Sequence, residues 1–74
     1  MFEEIRKAIA EQLNVPEENI TLETRFVEDL KADSLDLVEL VMNLEDHYGV
    51  EIPDEQLAEV KTVSQIIELV ENNK

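Results

Sequence analysis

The chain has 74 residues, with 19 acidic and 6 basic side chains, a formal net charge of −13 at pH 7, and no cysteine. This length allows one small domain, residues 1–74, with a modest core but without a deep multi-substrate active site. The acidic excess argues against nucleic acid and anionic membranes as partners, because both need a basic face, and the lack of cysteine excludes disulfides and thiolate chemistry.

The first segment has the spacing of an amphipathic helix. Phe2, Ile5, Ile9 and Leu13 recur every three or four residues, with polar side chains between them. Asn14 is a suitable stop for this helix. We expect the chain to be complete from Met1, because this segment is acidic and no apolar run is long enough for a signal peptide or a membrane span.

Residues 14–33 show no sustained period and therefore predict a long connection. A connection of this length is uncommon in a small domain and usually has a function. Its scattered apolar side chains, among them Ile20, Phe26 and Leu30, predict that the connection packs against the core.

The second long helix is predicted to run from Ser34 to Tyr48, with Gly49 as its C-terminal cap. Asp54 is expected to cap a short third helix that contains Leu57 and Val60.

A capping box formed by Thr62 and Gln65 precedes the last helix, and residues 72–74 are expected to fray. Together these elements predict an all-α fold. It is a small up-down bundle of three long helices plus one short helix, with a long loop between the first two long helices.

The helix at 34–48 has two apolar faces. At about 100° of rotation per residue, one stripe of side chains falls within roughly 60° and is typical of a core face: Leu37, Leu40, Val41, Leu44 and Tyr48. Leu35, Val38 and Met42 lie well off that stripe, and we call these three residues the apolar strip. Acidic side chains border the strip, with Glu45 on one edge and Glu39 and Asp46 on the other.

An apolar centre with an acidic rim is typical of a binding surface for a partner with a basic patch. The alternative is that the helix is buried on both sides. With only three long helices in the bundle, the exposed surface is favoured. A second alternative, on charge alone, is that the acids only form a solvated face.

Ser34 stands at the start of this helix, where a serine beside an aspartate is most often a cap. Asp33 could instead be the cap, with Asp36 reaching back, which would leave Ser34 free in the first turn. A nucleophilic serine needs a base within hydrogen-bond reach, and the only histidine, His47, lies about 20 Å along the helix. A serine modified by another protein needs no such base, and no catalytic residue is predicted.

Three segments in order resemble the acyl carrier proteins of type II fatty acid synthesis. They are F-V-E-D-L at 26–30, D-S-L-D-L-V-E-L at 33–40 and E-I-P-D-E at 51–55. The likeness covers nearly the whole chain, including its length and acidity.

This resemblance implies that Ser34, flanked by Asp33 and Leu35, carries a 4′-phosphopantetheine arm. A separate magnesium-dependent phosphopantetheinyl transferase would attach it from coenzyme A. The arm's thiol would carry fatty acyl chains as thioesters between the enzymes of fatty acid synthesis. A cytoplasmic location is expected separately, from the lack of cysteine and of an apolar run long enough for a signal peptide.

The resemblance also implies that the second helix recognises the partner enzymes. Acidic residues would meet basic patches on those enzymes, and the apolar strip would fill the centre of the contact; the acidic residues are Asp36, Glu39, Glu45 and Asp46. The family holds its acyl chain between its helices, and the matching positions are Phe26, Val27, Leu40, Leu44, Ile52, Leu57 and Val60. For each of these seven positions, an ordinary core role is the alternative.

Two positions depart from the family pattern. Lys31 stands where the family often has glycine, which adds a positive charge near the arm, and Leu37 replaces a commonly small or polar residue. His47 is interpreted as a favourable cation near a helix C-terminus. No metal site is predicted, because the acids lack the ladder of an EF-hand loop, although they could bind divalent cations weakly.

Rival functions remain open at this point. The chain could carry peptide, polyketide or D-alanyl groups, or it could be an acidic binding module in which Ser34 is only a cap. A serine hydrolase is disfavoured by the distance to His47.

Overall fold

The computed structural model describes all 74 residues, Met1–Lys74. It contains four α-helices and no strand: α1 (Phe2–Leu13), α2 (Ser34–Tyr48), α3 (Asp54–Leu57) and α4 (Val63–Asn72). The three long helices contact one another pairwise, and α3 lies in the link between α2 and α4. The predicted fold class, three long helices and one short helix, is confirmed. None of these helices combines the length and the apolar character needed to cross a bilayer.

The core consists of sixteen buried apolar side chains that form one cluster. Ile5 and Ile9 of α1 and Ile66 of α4 are completely buried, as the helical spacing predicted. Leu40 and Leu44 face them from α2. Burying a side chain of this size stabilises the fold by roughly 1.5–3 kcal/mol, so this cluster holds the three long helices together.

The predicted ends of α1 and α2 are confirmed by the backbone. Asn14 follows α1 with φ 56° and ψ 50°, and its N–H donates to the Ala10 carbonyl. Gly49 follows α2 with φ 65° and donates to the Glu45 carbonyl. Both residues are types that tolerate the left-handed region, so each can end a helix there at low cost.

The capping box of α4 is also confirmed. Thr62 Oγ1 accepts a hydrogen bond from Gln65 N at 3.4 Å, and Gln65 Oε1 accepts one from Thr62 N at 3.0 Å. The expected fraying of residues 72–74 is wrong for the first two of them. Asn72 is helical, and Asn73 Nδ2 donates to the Leu69 carbonyl at 2.8 Å.

The short helix α3 differs from its prediction in two details. Asp54 is its first residue and not its cap, because Pro53 occupies the cap position without a side-chain hydrogen bond. The helix ends at Leu57, so Val60 lies beyond it, although both side chains are buried.

The long loop is pinned to the core, as predicted. Ile20 and Phe26 are buried, and a short 3-10 turn forms at Glu17–Asn19. The loop also pairs with the link before α4, since Phe26 N donates to the Lys61 carbonyl at 3.0 Å. These contacts hold the loop against the core and against the link before α4.

Candidate functional site

The capping box at the start of α2 consists of Asp33 and Asp36. Asp33 Oδ1 accepts from Asp36 N at 2.9 Å, and Asp36 Oδ2 accepts from Asp33 N at 3.4 Å. Ser34 is the first residue of the helix, is exposed, and has no hydrogen bond from its hydroxyl to another protein group. The serine is therefore not the cap, and its hydroxyl is accessible from outside.

Catalysis by Ser34 has no support in this geometry. His47 lies in the last turn of α2, thirteen residues further along, and its Nε2 lies 3.1 Å from Glu4 Oε2. The hydrogen bond from His47 holds the pKa of the Glu4 carboxyl below its ordinary value. His47 thus joins α2 to α1 and is not available to Ser34 as a base.

The backbone at the start of α2 is suited to an anion. The N–H groups of Ser34 and Leu35 have no acceptor within the protein, as expected for the first turn of a helix. The helix dipole places partial positive charge at the same point. The carboxylates of Asp33 and Asp36 oppose this local field.

A groove of about 560 Å³ opens beside Ser34. It lies between the loop, the first turns of α2 and the α3 region, and most of its lining is apolar: Phe26, Val27, Ala32, Leu37, Val38, Leu57, Ala58 and Val60, with Asp33, Ser34 and Asp54 as the polar members. The attachment residue implied by the resemblance therefore adjoins an apolar groove.

The structure does not bring the seven expected acyl-cavity residues together. Phe26, Leu57 and Val60 are buried and line the groove. Leu40 and Ile52 are buried in the core but do not line it.

The other two of these residues lie in different surroundings. Leu44 lines a separate groove between α1 and α2. Val27 is 66% exposed and lines the groove beside Ser34 at its exposed edge. The sequence could not distinguish it from Phe26, because the loop has no periodic pattern that marks which side chain points inward.

Leu37 is half-buried, packs against the core and lines the groove beside Ser34. A side chain of this size reduces the space between α2 and α3. Leu37 therefore adds apolar contact to the core and also narrows the groove.

The apolar strip of α2 is exposed. Leu35 is 67%, Val38 41% and Met42 58% accessible. Burial of α2 on both sides is therefore excluded. Three large apolar side chains on one exposed helix face form a patch of the kind that marks a binding surface.

The acids around the strip do not all have the same surroundings. Asp46 is exposed and has no partner within the protein, whereas Glu39 Oε2 accepts from Gln12 Nε2 at 2.9 Å. Glu45 is half-buried, and its Oε2 accepts from Ile52 N at 2.8 Å. This role of Glu45, which ties α2 to the following link, was missed by the sequence analysis because it depends on a tertiary contact.

The turn before Ser34 contains a second feature that the helical pattern did not predict. Lys31 is exposed and has φ 58°, a left-handed conformation that lysine rarely adopts. Arg25 organises the same turn: its backbone N donates to Asp29 Oδ2 at 2.8 Å, and its guanidinium pairs with Glu28 and Asp29. The hydrogen bonds from Arg25 hold the pKa of the Asp29 carboxyl below its ordinary value.

Comparison with known proteins places these features in a family. The chain matches the family model described as "Phosphopantetheine attachment site" over residues 3–70. It is 51% identical over 74 residues to an acyl carrier protein of Helicobacter acinonychis, covering 100% of this chain and 95% of that protein. It is 49% identical over 74 residues to an acyl carrier protein of Wolinella succinogenes, covering 100% of this chain and 97% of that protein.

The fold agrees with these sequence matches. A solved structure of a candidate acyl carrier protein from Mycobacterium tuberculosis superimposes with a TM-score of 0.89 at 31% sequence identity. The superposition covers 96% of this chain and 95% of that one.

Proposed function

The chain belongs to the phosphopantetheine-binding family of acyl carrier proteins, and from this premise we propose that Ser34 is the residue to which its 4′-phosphopantetheine arm is attached. The protein is an acyl carrier of fatty acid synthesis with a covalent 4′-phosphopantetheine, and it is not an enzyme. When bound, the arm supplies the thiol that holds acyl groups as thioesters, which this cysteine-free chain lacks.

The observation that carries the assignment to Ser34 is the exposed hydroxyl beside a cap that is already complete. Asp33 satisfies the first-turn N–H of Asp36, so modification of Ser34 removes no hydrogen bond that the fold requires. The free N–H groups of Ser34 and Leu35 support a phosphate at this position. A separate magnesium-dependent transferase would supply the base that takes the proton of the Ser34 hydroxyl. The serine oxygen would then bond to the pantetheine-bearing phosphorus of coenzyme A, the pyrophosphate bond would break, and adenosine 3′,5′-bisphosphate would leave.

We propose that the groove beside Ser34 receives the arm or the start of its acyl chain. Its apolar lining by Phe26, Leu57 and Val60 supports this role. Leu40, Leu44 and Ile52 would join it only if the core opened, because they do not line the groove. Leu37 and Val27 would contact the occupant at the α2 and loop edges.

We propose that the apolar strip and the acids beside it form the docking surface for the synthesis enzymes and the transferase. The exposure of Leu35, Val38 and Met42 supports this proposal, as does the net charge of −13. Asp46 and Glu39 are exposed and would meet basic patches on these partners. Asp36 and Glu45 contribute charge, but each also has a structural hydrogen bond.

We further propose that residues 1–74 act as one carrier domain, as a cytoplasmic monomer without nucleic acid or membrane insertion. The single core cluster supports one domain, and mutual repulsion of the excess carboxylates supports a monomer.

The attachment is tested by incubating the protein with coenzyme A, magnesium and a phosphopantetheinyl transferase, followed by intact-mass spectrometry. We expect one phosphopantetheine per wild-type chain and none on Ser34→Ala. Ser64→Ala, which removes the only other serine, is the matched control and should be modified like the wild type. An unmodified wild type, or a modified Ser34→Ala protein, would refute the assignment.

A further inference from the structure

Lys31 has an exposed, charged side chain on a backbone conformation that lysine rarely adopts. Its φ of 58° is in the left-handed region, and Asn14 is the only other residue except glycine with positive φ. Asparagine tolerates this conformation, whereas lysine has no side-chain feature that favours it. Strained backbone at a non-glycine residue is found preferentially at functional sites, so the lysine side chain itself is a candidate for a role.

The ammonium group of Lys31 is available for a partner. It is exposed and lies within 4 Å of no carboxylate, whereas Arg25, in the same turn, pairs with Glu28 and Asp29. Glu28 and Asp29, which precede Lys31 in the loop, are therefore paired with Arg25, and the charge of Lys31 contributes only the last of the effects that lower the pKa of Asp29. Asp33, two residues later, has its Oδ1 in the capping box.

The ammonium group can reach a phosphate on Ser34. The two Cα atoms are at most about 11 Å apart, because three trans peptides separate them at about 3.8 Å each. An extended lysine places its nitrogen about 6 Å from Cα, and a phosphorus on the serine oxygen lies roughly 4 Å from its own Cα. These lengths sum to about 10 Å, and a hydrogen bond from the ammonium nitrogen to a phosphate oxygen spans about 3 Å more, so the two groups can meet across this separation. Ala32, which is buried, fixes the backbone between them.

We propose that Lys31 is a positioning residue that pairs with the phosphodiester attached to Ser34. The pair offsets the carboxylates of Asp33 and Asp36, which otherwise repel the phosphate at the start of α2. The lysine thus restrains the arm near the mouth of the groove. This inference rests on the proposed attachment at Ser34.

The pair is tested on the modified protein by the ³¹P resonance of its phosphodiester. We expect the resonance to move when Lys31 is changed to Gln, and to stay at the wild-type position in Lys31→Arg. Lys7→Gln is the matched control, because Lys7 lines the groove that contains His47, at the far end of α2 from Ser34. The difference between the wild type and Lys31→Gln should disappear in about 1 M salt, where the Debye length is about 3 Å.

A kinetic measurement adds a second readout. For an exposed ion pair we expect kcat/KM of the transferase to fall roughly two- to five-fold for Lys31→Gln and to be unchanged for Lys7→Gln. Lys31→Gly, which relieves the backbone strain, should show the same ³¹P change as Lys31→Gln, because the proposed ion pair depends on the charge of the lysine and not on the strain of its backbone. Coincident resonances for the wild type and Lys31→Gln at low salt would overturn the inference.

Intact mass separates this result from the proposed function. If Lys31→Gln is completely modified and its ³¹P resonance coincides with that of the wild type, the attachment at Ser34 is supported and the ion pair between Lys31 and the phosphodiester is refuted. If the wild type itself is not modified at Ser34, both fail.

Discussion

Three residues have positive φ, and their residue types differ in how well they tolerate this conformation. Gly49 and Asn14 end helices in that conformation, and both were predicted as stops from their residue types. Lys31 has φ 58° within the loop, where the sequence has no helical pattern from which a positive φ could be predicted. Its geometry follows from the turn that joins Arg25 and Phe26 to Ala32, whose N donates to the Phe26 carbonyl at 2.9 Å.

The strain at Lys31 predicts a stabilising substitution. Lys31→Asn should raise the free energy of unfolding by about 0.5–1 kcal/mol, because asparagine tolerates the left-handed region better than lysine does. Urea denaturation should show a higher midpoint with an unchanged m-value. Lys61→Asn, at a position without positive φ, is the control and should give no increase. An unchanged midpoint for Lys31→Asn would show that the turn stores no strain.

The Arg25–Asp29 contact predicts a pH effect. Arg25 lowers the pKa of the Asp29 carboxyl in the folded state from its ordinary 3.8, first through its side-chain hydrogen bonds and then through its backbone N–H. The contact therefore stabilises the fold above that ordinary value, and its contribution is lost as the pH falls through the lowered pKa.

We expect Arg25→Gln to raise the pKa of Asp29 part of the way back, because the backbone hydrogen bond remains. A carboxyl-carbon NMR titration measures this directly. Arg6→Gln, which removes a guanidinium that contacts Glu3 and Glu17, should leave the Asp29 titration unchanged. An Asp29 titration identical in Arg25→Gln and the wild type would contradict the assigned cause.

At the scale of the element, α2 combines a core face with an exposed apolar face. The bounds Ser34–Tyr48 and both faces could be predicted from residue spacing, because helical geometry repeats along the chain. The cap could not, since the residue types favoured Ser34 with Asp33 as the alternative, and the structure has Asp33. The different roles of the acidic side chains could not be predicted. The hydrogen bond from Ile52 N to Glu45, for example, depends on the path by which the link after Gly49 passes back along α2.

Charge reversal on α2 tests the docking surface. The double variant Glu39→Lys with Asp46→Lys should lower kcat/KM of a partner enzyme at least roughly ten-fold at low salt, because steering toward a basic patch is lost. Glu45 is left unchanged, since its replacement would break the bond to Ile52. Circular dichroism should show unchanged helix content.

The matched control for this variant is Glu68→Lys with Glu71→Lys on α4, which changes the net charge by the same amount at exposed positions. We expect it to retain most of the wild-type rate. Equal losses in the two double variants would indicate that overall charge, and not the surface on α2, determines recognition.

At the scale of the whole molecule, helix order, fold class and most core residues followed from the sequence because they depend on local periodicity. The residues that line the groove beside Ser34 could be predicted only in part from the sequence. Its lining depends on how the loop and the α3 region are held against α2, and Leu40, one of the expected cavity positions, does not line it. Residues without periodic spacing can be assigned to a face only by tertiary contacts.

The net charge of −13 on 74 residues predicts a fold that is weakened by self-repulsion. We expect sodium chloride to raise the free energy of unfolding by at least about 1 kcal/mol between low and moderate ionic strength, as exposed carboxylates are screened. For a domain of this size, that change raises Tm by roughly 4–8 °C. Differential scanning calorimetry across a salt titration measures the effect.

A variant with less charge tests the cause. Replacing Glu59, Glu68 and Glu71 by Gln removes three exposed carboxylates that have no ion-pair partner, and takes the net charge from −13 to −10. Because repulsion grows with net charge, this variant should have a higher Tm at low salt and a smaller rise with added salt than the wild type. A flat Tm in the wild type, or equal slopes in both proteins, would show that carboxylate repulsion does not limit the stability of this fold.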